Sequence, residues 1–253
     1  MRRGARSLKA SERDQEKRSF TQNQWCLQCP KQQICPFADL VRGGEGEDTT
    51  PVLFTHYRPG QYIYTQNGPM NGLHMVCTGA VMVQACNEEG VEYGLHLVGT
   101  GGCLNATDVL SKRAVCSASA KVLTDANIAF LNQTELQCLL PQHPVFSFKL
   151  LRQVSEQLQL LEEQQICLAH GNACERMLHL MQRLTSLGIQ HSEDGVTLPA
   201  TLDRADIASL VATTPETVSR LMTRFQKSGL VQSCENRTQV LDMKRLQRAT
   251  CCE

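Results

Sequence analysis

Closely spaced turn residues divide residues 50–132 into short segments in which apolar side chains are β-branched or alternate with polar ones. Pairs such as Pro59-Gly60, Asn71-Gly72 and Glu89-Gly90 mark the turns. The segments between turns are 61–64, 73–77, 80–86 and 91–98. Short strands at a spacing of roughly 8–12 residues are typical of an antiparallel barrel or jelly roll. The pattern therefore predicts an all-β region.

The pattern changes after Pro144, where apolar residues recur at alternating intervals of three and four. This is the a/d repeat of a helix that pairs with another helix. A lone surface helix shows a wider apolar stripe, so the spacing favours a seam between two copies of the chain over ordinary core packing. The predicted dimer interface consists of Leu151, Val154, Leu158, Leu161, Gln165 and Leu168. Gln165 in this seam would fix the register of the pair at some cost in stability.

Two short amphipathic helices joined by a three-residue turn are predicted between Leu202 and Leu230. The second helix begins at Pro215 with Thr214 as its N-cap, and both residue types are favoured at those positions. One face of this helix is apolar and the opposite face is polar. The apolar residues are Val218, Leu221, Met222 and Phe225. Such a helix pair matches the DNA-binding helix-turn-helix.

The polar face of the second helix carries groups that can read DNA. In the major groove a guanidinium binds guanine O6 and N7, a carboxylate accepts from cytosine N4, and a hydroxyl meets thymine. Arg220, Glu216 and either Ser219 or Thr217 supply these groups, whereas Arg224 and Lys227 suit phosphates. The predicted DNA-binding residues are Thr214, Glu216, Thr217, Ser219, Arg220, Thr223, Arg224 and Lys227. On spacing alone, a helix pair whose charges only face water remains an alternative.

Composition narrows the class of protein. The 253 residues are 42% hydrophobic, with 25 basic and 25 acidic residues, which excludes a wholly disordered chain and suits two domains. No apolar run could cross a bilayer and no signal-peptide core follows the basic N-terminus, so we expect a cytoplasmic protein without a membrane partner. Residues 1–25 are predicted to form a flexible basic tail. No Gly-rich phosphate loop or His-Glu-x-x-His motif is present, so an enzyme is not expected.

The chain has 13 cysteines, and three of them stand close together in sequence at Cys26, Cys29 and Cys35. In a reducing compartment, clustered cysteines more often hold metal or sense redox state than form disulfides. Thiolates this close can converge on one metal centre, and four such ligands suffice for an iron–sulfur cluster or for zinc. The triplet therefore predicts a metal or redox site that needs one more ligand.

The segment Glu216-Thr217-Val218-Ser219-Arg220-Leu221 closely resembles the recognition helix of the FNR branch of the CRP/FNR transcriptional regulators. Arg58-Pro59-Gly60-Gln61 and residues 94–99 resemble the β-roll of that family, and residues 173–176 resemble the start of the helix after its dimerisation helix. The resemblance implies an α+β fold. Its parts would be a tail (1–25), a cysteine-bearing segment and jelly-roll sensory domain (26–143), a dimerisation helix (144–170) and a winged helix-turn-helix (171–253).

The resemblance also implies the partners. Glu216, Ser219 and Arg220 would read a TTGA-type half-site in double-stranded DNA, twice in an inverted repeat bound by a homodimer, and the regulator would contact RNA polymerase. Residues 231–233 and 238–241 would form the wing, turning at Glu235-Asn236. Ala212 stands where the family commonly has a turn glycine, and alanine is tolerated there provided that the backbone is not left-handed.

The position of the cysteine triplet resembles that in the oxygen-sensing members, which implies an oxygen-labile [4Fe–4S] cluster that favours the dimer. Alignment places Ala129 at the family's fourth cysteine, and alanine cannot bind iron. Cys77, Cys103 and Cys116 are the candidates for the missing ligand. Cys77 ranks first because its strand is expected beside the strand of Ala129. A three-cysteine cluster with water, a carboxylate or another external ligand stays open.

Cyclic AMP is not expected as the signal. In cAMP-binding relatives a glutamate and an Arg-Ser pair hold the ribose and phosphate, whereas Cys103-Leu104 and Cys116-Ser117 occupy those positions here. The alternative to the cluster is a regulator of the same type that responds to another small effector, to haem or to thiol oxidation.

Overall fold

The structure, a computed structural model, describes Cys26 and residues 29–41, 52–187, 191–192, 195–234 and 237–240. Its helices are α1 (Pro36–Val41), α2 (Ala106–Leu110), α3 (Gln133–Gln142), α4 (Pro144–His170), α5 (Ala173–Ser186), α6 (Arg204–Leu210) and α7 (Pro215–Lys227). Its strands are β1 (Leu53–Tyr57), β2 (Tyr62–Tyr64), β3 (Gly72–Thr78), β4 (Val81–Cys86), β5 (Glu92–Val98), β6 (Ser119–Val122), β7 (Ala126–Asn132), β8 (His191–Ser192), β9 (Gly195–Thr197), β10 (Val231–Cys234) and β11 (Arg237–Val240). The predicted tail lies outside the described residues.

The first seven strands form two antiparallel sheets, in the orders β1-β7-β3 and β2-β6-β4-β5. Val76 and Ile128 from the first sheet are buried together with Val81 and Val83 from the second. Because successive side chains of a strand point to opposite faces, Met75 and its neighbours in β3 and β7 pack instead against the helices. The prediction of a jelly roll is confirmed, and the segments 73–77, 80–86 and 91–98 correspond to β3, β4 and β5.

Helix α4 begins with Pro144 in its first turn, where proline costs no hydrogen bond, and runs to His170. Phe146, Leu150 and Gln153 on one face are buried against the protein's own N-terminal half. On the opposite side of the helix, Phe148, Leu151, Leu158 and Ile166 are exposed apolar residues. One side of α4 therefore packs against the N-terminal half, and the other side is exposed to solvent.

The C-terminal half is built on α5, α6 and α7. Asn172 and Glu175 form a capping box at the start of α5, and Asp203 and Asp206 form another at α6. The buried side chains that join the three helices are Met177, Met181, Ile207, Val218, Met222 and Phe225. Beside them lies a sheet in the order β10-β11-β9-β8, in which the short strands β8 and β9 precede α6.

Strands β10 and β11 pair in register, with Val231 opposite Val240, and form the wing. The predicted wing turn at Glu235-Asn236 and the last predicted residue, Leu241, lie outside the described residues. The α+β architecture with a jelly roll, a long helix and a winged helix-turn-helix is therefore confirmed. In the described part of the chain, no helix is long and apolar enough to cross a membrane.

Candidate DNA-reading helix and cysteine site

The start of α7 is fixed by local chemistry. Thr214 has extended backbone angles and its hydroxyl accepts a hydrogen bond from the Thr217 N–H at 3.3 Å, as an N-cap does. Pro215 follows at the first helical position. Val218, Met222 and Phe225 bury one face of the helix against α6 and α5. The prediction of Thr214 as the N-cap is confirmed.

The opposite face of α7 is open to solvent. Of the residues predicted to bind DNA, Thr217 is half-buried and the others are exposed, namely Thr214, Glu216, Ser219, Arg220, Thr223, Arg224 and Lys227. The structure thus brings all of them to one surface of the protein. This placement is what a groove-reading helix needs, because the groups that read base edges must project away from the domain core.

Hydrogen bonds within α7 organise this surface. A guanidinium nitrogen (Nη2) of Arg220 donates to Thr217 Oγ1 at 3.0 Å, which directs the Arg220 side chain towards the N-terminal turn. The pKa of Glu216 is lowered by its own backbone N–H at the helix N-terminus, by the Thr214 side chain and by the charge of Arg220. Glu216 is therefore an anion at neutral pH, beside a guanidinium that is also charged.

The turn before α7 corrects one expectation. Ala212 has a φ of 47°, so the condition under which alanine would be tolerated at this position without strain is not met. The turn is nevertheless held by hydrogen bonds. The Thr213 N–H donates to the Ala208 carbonyl at 2.9 Å, and Arg176 Nη2 donates to the Ala212 carbonyl at 3.1 Å.

The cysteine triplet lies against the outer face of β3. Cys26 and Cys35 are 8% and 9% exposed, and the Cys35 thiol donates to Met75 Sδ at 3.2 Å. Burial raises the pKa of Cys35 to about 11; backbone hydrogen bonds from Ala38 and Phe37 oppose this shift, and Cys26 and Cys29 add to it. Cys35 is therefore held against β3 through Met75.

Cys77 lies with this triplet. Burial raises the pKa of Cys77, and the negative charges of Cys35, Cys26 and Cys29 raise it further. Cys103 is also buried, but Cys35 is the one member of the triplet that contributes to its raised pKa. The pKa of Cys116 is raised by burial and by Asp108, with no contribution from the triplet. Among the three candidates, Cys77 is the one whose pKa is raised by all three triplet cysteines.

The strand of Cys77 lies beside the strand of Ala129, as expected. Met75 pairs with Ala129, and the register shifts between Val76 and Thr78, which makes Cys77 the extra residue of a β-bulge. Ala129 is fully buried in the same apolar cluster as Cys35 and Met75. A ligand at 77 and a ligand at 129 would therefore approach the triplet from neighbouring positions on one face of the sheet.

The donor set fits an iron–sulfur cluster. Four cysteine thiols are the ligand set of a [4Fe–4S] cluster, in which each thiolate binds a different iron. A zinc ion instead draws four thiolates to about 2.3 Å from one point. Within the described residues, no group of three or more His, Cys, Asp and Glu side chains is arranged to hold a single metal ion. Cys26, Cys29, Cys35 and Cys77 would supply the four thiolates of such a cluster.

Asp108 lies beside Ser117, which the resemblance aligns with the serine of the Arg-Ser pair in cAMP-binding relatives. Asp108 is buried, and one of its oxygens accepts hydrogen bonds from both the N–H and the hydroxyl of Ser117 at 2.8 Å. The neighbouring cavity of about 210 Å³ contains His74, but burial lowers the pKa of His74 to about 4, so it is neutral at pH 7. The residues that line this cavity offer no cation for a phosphate.

Comparison with known proteins agrees with this geometry. The sequence model of the cyclic nucleotide-binding domain matches residues 54–143, and that of the Crp-like helix-turn-helix domain matches residues 175–249. The transcriptional activator protein anr of Pseudomonas aeruginosa is 24% identical over 224 residues, which cover 86% of this chain and 88% of that protein. The fumarate and nitrate reduction regulatory protein of Escherichia coli is 24% identical over 213 residues, covering 81% and 82%.

Solved structures share the fold. FixK2 from Bradyrhizobium japonicum has a TM-score of 0.65 at 19% identity, covering 79% of this chain and 98% of its own. A transcriptional regulator of the CRP/FNR family from Thermus thermophilus has a TM-score of 0.64 at 23% identity, covering 78% and 97%. A jelly roll joined through a long helix to a winged helix-turn-helix defines a sensory DNA-binding regulator. The chain belongs to the CRP/FNR family of transcriptional regulators, and its function is regulatory rather than enzymatic.

Sequence reasoning missed the contact between the two halves of the chain. Lys121 of β6 forms an ion pair with Asp206 of α6 at 3.0 Å, and the N–H of Gly94 in β5 donates to Ser209 Oγ at 2.8 Å. Neither Lys121 nor Asp206 carries a local pattern that predicts this pairing.

Proposed function

We propose that this regulator belongs to the oxygen-sensing, FNR-like branch of its family. As a homodimer in the cytoplasm it reads a TTGA-type inverted repeat and contacts RNA polymerase. A [4Fe–4S] cluster held by Cys26, Cys29, Cys35 and Cys77 controls it. The observation that supports the proposal is that Cys77 packs against the apolar cluster that contains Cys35 and Met75, in which the Cys35 thiol donates to Met75 Sδ. Relatives named as anaerobic or fumarate and nitrate regulators support it.

The reading of DNA is assigned to the exposed face of α7. Arg220 offers a bidentate guanidinium for guanine, ionised Glu216 accepts from cytosine N4, and Ser219 offers a hydroxyl. Arg224 and Lys227 lie further along the helix and neutralise phosphates, which adds affinity without sequence preference. Sequence discrimination and salt-dependent affinity are therefore carried by different residues of one helix.

Dimerisation is assigned to α4. Leu151 and Leu158 are 62% and 57% exposed, and Gln165 on the same column is also exposed. The other three predicted seam residues are half-buried within the chain, since Val154 packs on the β-roll core and Leu161 and Leu168 line an open cleft. A second copy of α4 would cover the exposed residues Leu151, Leu158 and Gln165. The half-buried residues would line the inner edge of the same seam.

The cluster is tested by anaerobic purification, with iron, sulfide and visible absorption measured on the full chain. Wild-type protein is expected to hold about four irons, and Cys77→Ser is expected to lose most of this iron. Cys103→Ser and Cys116→Ser are the matched controls, because they remove buried thiols from the same domain. Loss of iron on Cys103→Ser or Cys116→Ser but not on Cys77→Ser would reassign the fourth ligand. Protein that is colourless under anaerobic conditions would end the proposal of a cluster.

The double variant Cys77→Ser/Ala129→Cys sharpens the test of the fourth ligand. It returns a thiol to the neighbouring position on the same face of the sheet, beside Met75. Recovery of the visible absorption that Cys77→Ser loses would show that the site needs a fourth thiolate from this face. Absence of recovery, with the protein still folded, would argue for a cluster that takes an external ligand instead.

The reading role is tested by binding of the dimer to duplexes with intact and altered TTGA half-sites. Arg220→Lys keeps the charge but removes the bidentate fork, so discrimination is expected to fall by about 1–3 kcal/mol per half-site, roughly 5- to 150-fold. Lys227→Gln is the matched control and is expected to weaken binding to both duplexes alike, with a shallower salt dependence. Unchanged discrimination by Arg220→Lys would refute the assigned role.

A further inference from the structure

The helix-turn-helix is docked on the sensory sheet. Helix α6 packs across β5, the edge strand of the sheet β2-β6-β4-β5. Side chains from both halves of the chain share one continuous apolar core. Its β-roll members are Ala80, Met82, Leu97 and Leu123, and those from the C-terminal half include Leu180, Leu184, Leu187, Leu210 and Val211. The two halves are therefore joined by a buried interface as well as by the chain.

Polar contacts fix the register of this docked interface. The ion pair between Lys121 Nζ and Asp206 Oδ2 is 3.0 Å long, and the two side chains are 19% and 13% exposed. Burial alone would lower the pKa of Lys121, but the hydrogen bond and charge of Asp206 outweigh it and the net shift is upward. Thr201 Oγ1 also donates to the Leu123 carbonyl at 2.5 Å. Replacing one partner of such a partly buried ion pair leaves the other charge uncompensated, which lowers the stability of the interface.

Gly94 lets the two elements come this close. A Cβ added at Gly94 would lie 2.7 Å from Leu210 Cγ and Cδ2 and 3.1 Å from Ser209 Oγ. All of these nearest atoms belong to α6, and none belongs to the sheet that contains Gly94. A larger residue at 94 would therefore push α6 away, while its own strand could accommodate it.

We propose that Gly94, Lys121 and Asp206 are positioning residues for DNA binding. They hold α6 on the sensory sheet, and α6 carries α7 with it because Ile207 and Val218 lie in one common core. The β-roll then sets the orientation of α7 in each subunit of the dimer. That orientation determines the distance between the two α7 helices, and therefore the separation of half-sites that the dimer binds. This inference rests on the proposed reading of an inverted repeat by α7.

The test measures binding to duplexes that differ in half-site separation. One has half-site centres about 10 base pairs apart, one helical turn, and the others are longer or shorter by about one or two base pairs. The wild-type dimer is expected to prefer one separation. Lys121→Gln and Gly94→Val are each expected to reduce this preference about tenfold. The charge-swapped variant Lys121→Asp/Asp206→Lys is expected to recover part of it.

Lys149→Gln is the matched control. Lys149 of α4 pairs with Asp39 of α1 at 2.6 Å, with side chains 17% and 33% exposed, so it is a similar ion pair that involves neither α6 nor α7. It is expected to lower stability while leaving the preferred separation unchanged. A uniform loss of affinity at every separation in Lys121→Gln and Gly94→Val would assign these residues a merely structural role and overturn the inference.

Hydrogen exchange of the full chain tests the docking without DNA. Lys121→Gln and Gly94→Val are expected to speed exchange of the amides in β5 and α6, and to leave β3 unchanged. Unchanged exchange in α6 would overturn the inference even if the dimer binds DNA. If exchange is faster in the two variants but the wild-type protein shows no preference for TTGA half-sites, the docking stands and the proposed function fails.

Discussion

The strained turn between α6 and α7 gives a prediction whose sign is unusual. Replacing Ala212 by glycine should stabilise the protein, although glycine in place of alanine normally destabilises it. Ala212 has a φ of 47°, and a left-handed conformation costs an L-residue about 1–2 kcal/mol relative to glycine. Glycine also has more conformational freedom in the unfolded chain, and this offsets about 0.5–1 kcal/mol of the stabilisation. Because Ala212 is exposed, little buried apolar area is lost.

The net gain for Ala212→Gly is about 0.5–1 kcal/mol, equivalent to about 1–4 °C in Tm for a chain of this size. Urea denaturation of the full chain measures it as a higher midpoint with an unchanged m-value. The matched control is Ala205→Gly, an exposed position inside α6 where glycine should cost about 0.5–1 kcal/mol. The reasoning is refuted if both variants lose stability by similar amounts.

Two further predictions concern the long helix and its neighbours. Burial and the charge of Arg183 lower the pKa of His96 to about 4, so the unfolded chain takes up a proton that the folded chain refuses as the pH falls from about 6.5 to 4. Between pH 7 and 5 this costs the wild-type protein about 2 kcal/mol of its free energy of unfolding, and His96→Gln should not show this loss. Urea denaturation at the two pH values measures it. Parallel pH profiles for the two proteins would contradict the expectation. Leu158→Glu should convert the dimer to a monomer in sedimentation experiments, because it places a charge in the apolar seam. Gln159→Glu, on the same helix, is the control and should stay dimeric. A dimeric Leu158→Glu variant would exclude this seam.

Several apolar residues of α4 remain exposed to solvent in the single chain. Phe148 and Ile166 are 69% and 63% exposed, in addition to Leu151 and Leu158. Exposed apolar stripes of this kind commonly mark interaction sites. A cluster at Cys35 would lie close to this helix, since α1, which follows Cys35, packs on α4 through Phe37 and Phe146 at a ring separation of 6.3 Å. We therefore expect assembly of the cluster to stabilise the helix on which the dimer depends.

Features of short range were determined by the sequence alone. The start of α7 at Thr214-Pro215 follows from hydrogen-bonding and dihedral preferences of adjacent residues, and the strands β3 to β5 follow from alternation between turn residues. The polar face of α7 was predictable for the same reason, because a helical period maps sequence spacing directly onto a surface. The cysteine triplet was visible as spacing, whereas the candidates for a fourth ligand had to be ranked from the expected order of the strands.

The sequence ranked Cys77 above Cys103 and Cys116 through the expected order of the strands, but only the tertiary structure shows that Cys77 packs on the cluster of Cys35 and Met75. It also decided that Ala212 is left-handed and that Lys121 meets Asp206 across 85 residues of chain. The partial burial of Val154 against the β-roll core is likewise a tertiary contact that its heptad position does not reveal. Local patterns encode dihedral preferences and amphipathic faces, but which faces meet depends on how distant segments fill a common core.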